Sequence, residues 1–381
     1  MIGAVILGLL AVVVLWLLLR SPGSRGKGKA KAHGRIKNAA PGVQSGRVKD
    51  AILHLDVRSD LEPEPLPEAL AGLHLVKVDE MDEASWAQVA RICAAMGDPH
   101  PLHLRLAGSL DTPEELRDVV STDGGLTVLI LKTVNSAAFA LASPITSVQH
   151  AVTYLGVGVV RGLVLRATLA EREESGTPEQ QATLSKIWKS ACSGSAFAQL
   201  LGQELGLPRP SVLATKSLFL NLGDVAIASS EAGAPAWYQP EVTFLERIDA
   251  QQRALGANTT IVGAALARHW NLPEDLALSI EEGFLPLVTR PGDHPMKGEE
   301  YQQNVLVYLA NQIGDRITYR GLRNIADLEL EGTEDPALYH LLGHMDIAGL
   351  KRVAALFREA AFRRKANRLI ATLSPESLET D

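Results

Sequence analysis

Between Asp123 and Leu165 the chain reads DGGLTVLILKTVNSAAFALASPITSVQHAVTYLGVGVVRGLVL, two strongly apolar segments about a short polar break. In the first, Leu126, Leu129, Ile130, Thr133 and Val134 recur at helical spacing. Val128 and Leu131 widen that stripe until the segment reads as buried nearly all round. The second segment repeats the pattern through Val148, Ala151, Val152, Leu155, Val159, Val160, Leu163 and Val164. Both are core helices, and helices of this kind need other helices around them, so the stretch commits the chain to an all-α core. Asn135 and Ser136 stand where the period would place Leu or Val, and a loop follows that Pro144 closes, with Ser147 as the N-cap of the second helix. The two polar residues read as a helix terminus whose side chains satisfy orphan backbone groups, and neither is expected to be catalytic.

The flanks extend the helical reading. Asp79 to Met96 places Met81, Trp86, Val89, Ala90, Ile92, Cys93 and Met96 on one face. Leu102 to Leu110 makes a short helix, and Thr112, Pro113 and Glu115 form a capping box for another that runs through Val120. Further helices are expected over Leu184 to Leu205, Ser211 to Ala228, Tyr301 to Ile313 and Ile347 to Leu373. Ala51 to Val57 and Leu73 to Val78 alternate like strands across a proline-rich stretch and could pair as a small β element.

Residues Ile2 to Leu19 form an unbroken apolar run just long enough to cross a bilayer, followed at once by Arg20, Arg25, Lys27, Lys29, Lys31, Arg35 and Lys37. That asymmetry reads as a retained single-pass anchor in the inner (cytoplasmic) membrane with the rest of the chain in the cytoplasm. Ser21 to about Lys49 is a flexible basic tether. The chain carries a net charge of -7, and the first 37 residues hold seven bases and no acid, so the remainder stands at -14. A body that acidic repels nucleic acid and favours a basic protein surface. Cys93 and Cys192 are far apart in apolar contexts and match no metal or disulfide spacing.

Asp123 with Leu126 and Thr127, Asn135-Ser136 ahead of an aromatic, Ser147-Val148, Ala151 and Leu155-Gly156 form an ordered set that resembles the HDOD domain, a bacterial regulatory relative of the HD-type metal phosphohydrolases. Asp123-Gly124 departs from the family's usual Asp-Pro. The resemblance implies an HD-like multi-helix bundle over 99–317; hydropathy, charge and composition add a transmembrane helix at 1–20, a tether at 21–50, a small accessory segment at 51–98 and a helical extension at 318–381. In this layout Asp123, Asn135, Ser136 and Gly156 are signature residues with structural roles.

Catalytic relatives hold a divalent metal with a His, a His-Asp dyad and a further Asp, because imidazole and carboxylate fix the cation while it lowers the pKa of a bound water. Here Lys189 follows Trp188 where a His is expected, Leu220-Asn221 stands at the dyad, Thr259 replaces another His and Glu281-Glu282 replaces paired histidines. The resemblance therefore implies no catalytic residue, no metal site and no cofactor. Asp224 reads as a hydrogen-bonded structural acid. His340 and His344, four residues apart, share a helix face but lack the rest of a metal motif. The leading expectation is a membrane-tethered, non-catalytic signalling protein that binds a protein partner. The alternative is a receptor holding a nucleotide or other small signalling ligand in the vestigial HD cleft, with Lys189 and Asn221 as the contacts. A residual phosphohydrolase comes third.

Overall fold

The computed structural model describes residues 66–373 apart from 101–102, 104, 107–111, 122–126, 129, 132–133, 136–143, 170–175 and 331–334. The apolar run, the tether, the piece from Ala51 to Val57, Asp123 and Ser136 lie outside the described residues.

Helix α1 (Glu68–Ala71) is followed by an extended stretch and a 3-10 turn, Val78–Glu80. The strand expected from Leu73 to Val78 does not form, and no strand occurs among the described residues. The physical reason lies in its partners. Val76 N–H donates to Gln252 Oε1 at 2.7 Å, Gln252 Nε2 donates to His74 O at 2.8 Å, and Asn258 Nδ2 donates to Val76 O at 3.0 Å. Two side chains thus take the backbone groups that a neighbouring strand would otherwise have paired. Helix α2 (Glu83–Met96) starts where Asp82 caps Ser85 N–H at 2.8 Å, so the acids at 79–80 precede the helix, and it buries Val89, Ile92, Cys93 and Met96.

The Thr112 capping box forms as read, Thr112 Oγ1 accepting from Glu115 N–H at 3.1 Å and Glu115 Oε2 from Thr112 N–H at 3.0 Å, and opens α3 (Pro113–Ser121). Of the first central segment, Ile130 and Val134 are fully buried, but Val128 is 67% exposed, which corrects the reading of burial all round. The second segment is buried at all eight named positions, and Ser147 caps it through His150 N–H at 3.0 Å. It is two helices, α4 (Val148–Leu155) and α5 (Val157–Ala167), because Gly156 adopts a φ of 87° that a side-chain-bearing residue rarely reaches. The signature glycine is therefore a hinge.

The long core helix α6 (Pro178–Glu204) begins earlier than its apolar pattern, at a Thr177/Gln180 capping box with proline in the first turn. It is followed by α7 (Pro210–Leu220), α8 (Leu222–Ser230), α9 (Phe244–Leu255), α10 (Thr259–His269), α11 (Glu274–Glu281), α12 (Leu285–Val288) and α13 (Gly298–Tyr319). Helices α14 (Leu341–Ile347), α15 (Arg352–Leu356) and α16 (Ala360–Leu373) complete the described chain. Two expected helices are thus broken. Ser211 to Ala228 divides at Asn221, and the single helix expected from Ile347 to Leu373 is interrupted between Ile347 and Arg352, where Gly349 has a φ of 72°, and again between Leu356 and Ala360.

Helices α6 and α13 form the spine. A Cβ on Gly314 would lie 2.4 Å from Ser190 O and one on Gly194 3.3 Å from Ala310 O, so this crossing needs glycine, above all at 314. Helices α7 and α8, which together are long and apolar enough to cross a membrane, instead fill the core beside that spine.

Candidate functional site

The positions that would carry a metal in an HD-type enzyme come from α6, the α7/α8 break, the start of α10 and the end of α11. At the break, Leu220 is 2% exposed and lies so close to Gly283 that a Cβ there would meet Leu220 Cδ1 at 2.3 Å. An isobutyl group therefore occupies the space at the end of α11. Asn221 turns the other way. Its Nδ2 donates to Asn311 Oδ1 at 2.6 Å and to Ser217 O at 3.2 Å, while Asn311 Nδ2 donates to Ser217 Oγ at 2.9 Å and Val307 O at 3.0 Å. Through the Asn221 Nδ2 donor and both ends of the Asn311 amide, these bonds lock α7 onto α13. Glu281 is engaged by Arg268 Nη1 at 2.6 Å.

Lys189 is half-buried on α6, and its pKa is lowered by burial and further by the positive charge of Arg323. It makes no hydrogen bond to Asn221, whose Nδ2 goes to Asn311, so the structure does not bring the two candidate ligand residues into one site. The donor set does not fit a divalent cation: Leu220 offers no lone pair, Lys189 opposes one with its own charge, and Asn221 brings at most a neutral amide oxygen, its Nδ2 being held by Asn311 and Ser217. Among the described residues no three His, Cys, Asp or Glu side chains gather as metal ligands would.

Asp224 is 8% exposed and sits in a polar cluster that the sequence pattern did not reveal. It accepts from Tyr238 O–H at 2.6 Å and from Gln251 Nε2 at 3.1 Å, while Gln251 Oε1 accepts from Thr259 N–H at 3.0 Å. Gln251 thereby ties α8, α9 and α10 together. Burial pushes the Asp224 carboxyl above its usual range, with the Arg247 charge and the Tyr238 hydrogen bond opposing. Arg247 is itself buried, 3.0 Å from Asp315 Oδ1 and 4.5 Å from the Tyr319 ring centre. Burial alone would lower its pKa, but the neighbouring anion and phenols hold it above its ordinary value. The one available signal was spacing: Arg247, Gln251 and Leu255 share a helix face, so two polar side chains lie on a buried stripe.

His344 is fully buried, its Nε2 2.8 Å from Thr289 O and its Nδ1 2.6 Å from Tyr301 OH. Nδ1 thereby ties α14 to α13, and Nε2 ties it to Thr289 at the end of α12. Cys93 and Cys192 are free and buried, and burial pushes both thiols up to about 12.

Residues 109–283 match the HDOD domain family. The chain contains an HDOD domain. No curated protein sequence matches it. Among solved structures, an HDOD domain protein of unknown function from Geobacter sulfurreducens is 21% identical, with 74% of this chain and 91% of that chain covered and a TM-score of 0.40. The MmoQ response regulator from Methylococcus capsulatus is 18% identical, with 71% and 96% covered and a TM-score of 0.35. Within the HDOD match, Asn135 acts as a bracket. Its Nδ2 donates to Leu131 O at 2.8 Å and Ile145 O at 2.7 Å, and its Oδ1 accepts from Ile145 N–H at 2.7 Å. The residue caps its helix as expected, and it does so at the surface rather than in the interior.

Proposed function

We propose that this HDOD protein is non-catalytic and works in signal transduction by binding a protein partner, held at the cytoplasmic face of the inner membrane by residues 2–19. The observation that carries the first part is the fate of the HD positions: Leu220 packs on Gly283, and Asn221 is tied to Asn311. Both positions serve cohesion, and among the described residues no group of His, Cys, Asp or Glu stands beside them to hold a metal that would activate water. The membrane part rests on the apolar run and the basic residues that follow it. Confinement to a surface raises the effective concentration of the domain toward membrane-associated partners, and an acidic body selects basic ones.

Co-immunoprecipitation from cells carrying the chain with and without residues 1–20 tests the tether; the partner set should shrink when they are removed, and an unchanged set refutes its role. Metal analysis of the purified chain tests the chemistry. Stoichiometric manganese, iron or zinc would overturn the non-catalytic reading.

A second reading, a receptor for a small anionic ligand at Lys189, is favoured by the half-buried Lys189 ammonium beside the positive charge of Arg323. A phosphate-bearing nucleotide that raises the melting temperature, with the rise lost in Lys189→Met, would support it.

A further inference from the structure

Helix α16 is held to the body by one face. Phe362, Ala366, Ile370 and Leu373 are buried, the helix packs on α6, and the Phe357 and Phe362 rings meet at 5.1 Å. Asn367 fixes its rotation: Oδ1 accepts from Ile325 N–H at 2.8 Å, and Nδ2 donates to Asn324 Oδ1 at 2.9 Å.

The residues exposed on this helix are Ala360, Ala361, Arg364, Lys365, Arg368 and Ala371. At about 100° per residue they fall within an arc of about 140°, so they make one continuous face. It holds three cations and no anion, with alanines between them that let a flat surface come close to the backbone. Lys365 stands at one edge, paired with Glu204. Arg364 and Arg368, one turn apart near the middle, make no ion pair or side-chain hydrogen bond with any described residue.

The rest of the molecule has the opposite sign. Residues 351–373 hold seven bases against one acid, and the first 37 hold seven bases and no acid, so the remaining chain stands at -20. A basic face on so acidic a body gives the domain a preferred direction in an external field. An anionic leaflet draws the face toward itself and repels the remainder within a Debye length.

We propose that the exposed face of α16 lies on the anionic headgroups of the membrane, through Arg364, Lys365 and Arg368, and so turns the acidic remainder of the domain toward the cytoplasm, where basic partners meet it. The inference rests on the anchoring of residues 2–19, which brings α16 within reach of a leaflet. Nucleic-acid phosphates carry the same charge, but that anchor brings only the leaflet to the domain.

The test uses the full chain in nanodiscs of phosphatidylcholine, with and without about 30% phosphatidylglycerol. A donor dye on Ala360→Cys and an acceptor on the lipid headgroups read the distance of α16 from the bilayer, and Cys93 and Cys192 are buried and stay unlabelled. Energy transfer should be higher in the anionic discs. It should fall in Arg364→Gln/Arg368→Gln, because removing two bases shifts the docked-to-free ratio by about thirtyfold. Arg364→Lys/Arg368→Lys should retain it, since a leaflet reads charge rather than guanidinium geometry. The bases of residues 20–37 are the same in every variant, so any attraction they add cancels. Loss of the chain from the neutral discs would refute the anchor alone, and the labelled chain added to anionic vesicles then reads α16 by itself. Equal transfer in the two lipid compositions overturns the proposal, as does equal transfer in the wild type and the Gln variant. Binding to a DNA duplex that is lost in the Gln variant, with no effect of lipid charge, would assign the face to nucleic acid instead.

Discussion

Replacing His344 by Gln should flatten the acid sensitivity of this protein. His344 is fully buried, with Nε2 2.8 Å from Thr289 O and Nδ1 2.6 Å from Tyr301 OH. A carbonyl only accepts, so Nε2 carries the proton and Nδ1 receives the tyrosine O–H. Protonating Nδ1 would force the tyrosine hydroxyl to turn from donor to acceptor and would place a charge in a buried site. Burial pushes the imidazole down to about 4 from an ordinary 6.5; the Thr289 bond opposes this, and His294 and His340 add to it. Because the folded value lies below the unfolded one, the unfolded chain binds more protons between them. Stability is therefore full above about pH 6.5 and drains away as pH falls toward the folded value. For one site with those two values, the loss between about pH 7.5 and about pH 5 is about 2 kcal/mol. Glutamine offers a donor and an acceptor but does not titrate. Urea denaturation of the full chain, followed by tryptophan fluorescence at both pH values, should show the wild type losing about 2 kcal/mol more than His344→Gln. His103, also pushed down to about 4 by burial, contributes equally to both chains and cancels. Equal losses in the two proteins would refute the assignment of His344 as a buried neutral imidazole.

Gly283→Ala should cost about 1–3 kcal/mol through the clash of its new Cβ with Leu220, and combining it with Leu220→Ala should cost less than the sum of the two in urea denaturation. Additive costs would mean that Leu220 does not fill the end of α11. Arg247→Met should destabilise the fold by about 3–5 kcal/mol because it leaves Asp315 charged and buried without a counter-ion, measurable as a lowered urea midpoint. Asn135→Ala, despite the exposure of the residue, should cost about 1–2 kcal/mol, because Ile145 N–H and C=O lose the amide that brackets them. A midpoint matching the wild type would place that bracket outside the folded core.

The local code for helices was largely written in residue order. The Thr112 and Ser147 caps formed where the side chains said they would, and the eight apolar positions from Val148 to Val164 are all buried, because capping and periodicity act within a few residues. The HDOD signature could likewise be read from an ordered set of residues. Only the tertiary structure decided what Leu220, Asn221 and Thr259 touch. That Leu220 seats on Gly283, that Asn221 reaches Asn311, and that Gln251 gathers Asp224, Tyr238 and Thr259 are matters of which helix crosses which. The same holds for Leu73 to Val78, an alternating segment denied a strand because Gln252 and Asn258 reached its backbone first. Partners separated by 90 or 176 positions have no local trace, since a hydrogen bond depends on distance in space and the sequence records only distance along the chain.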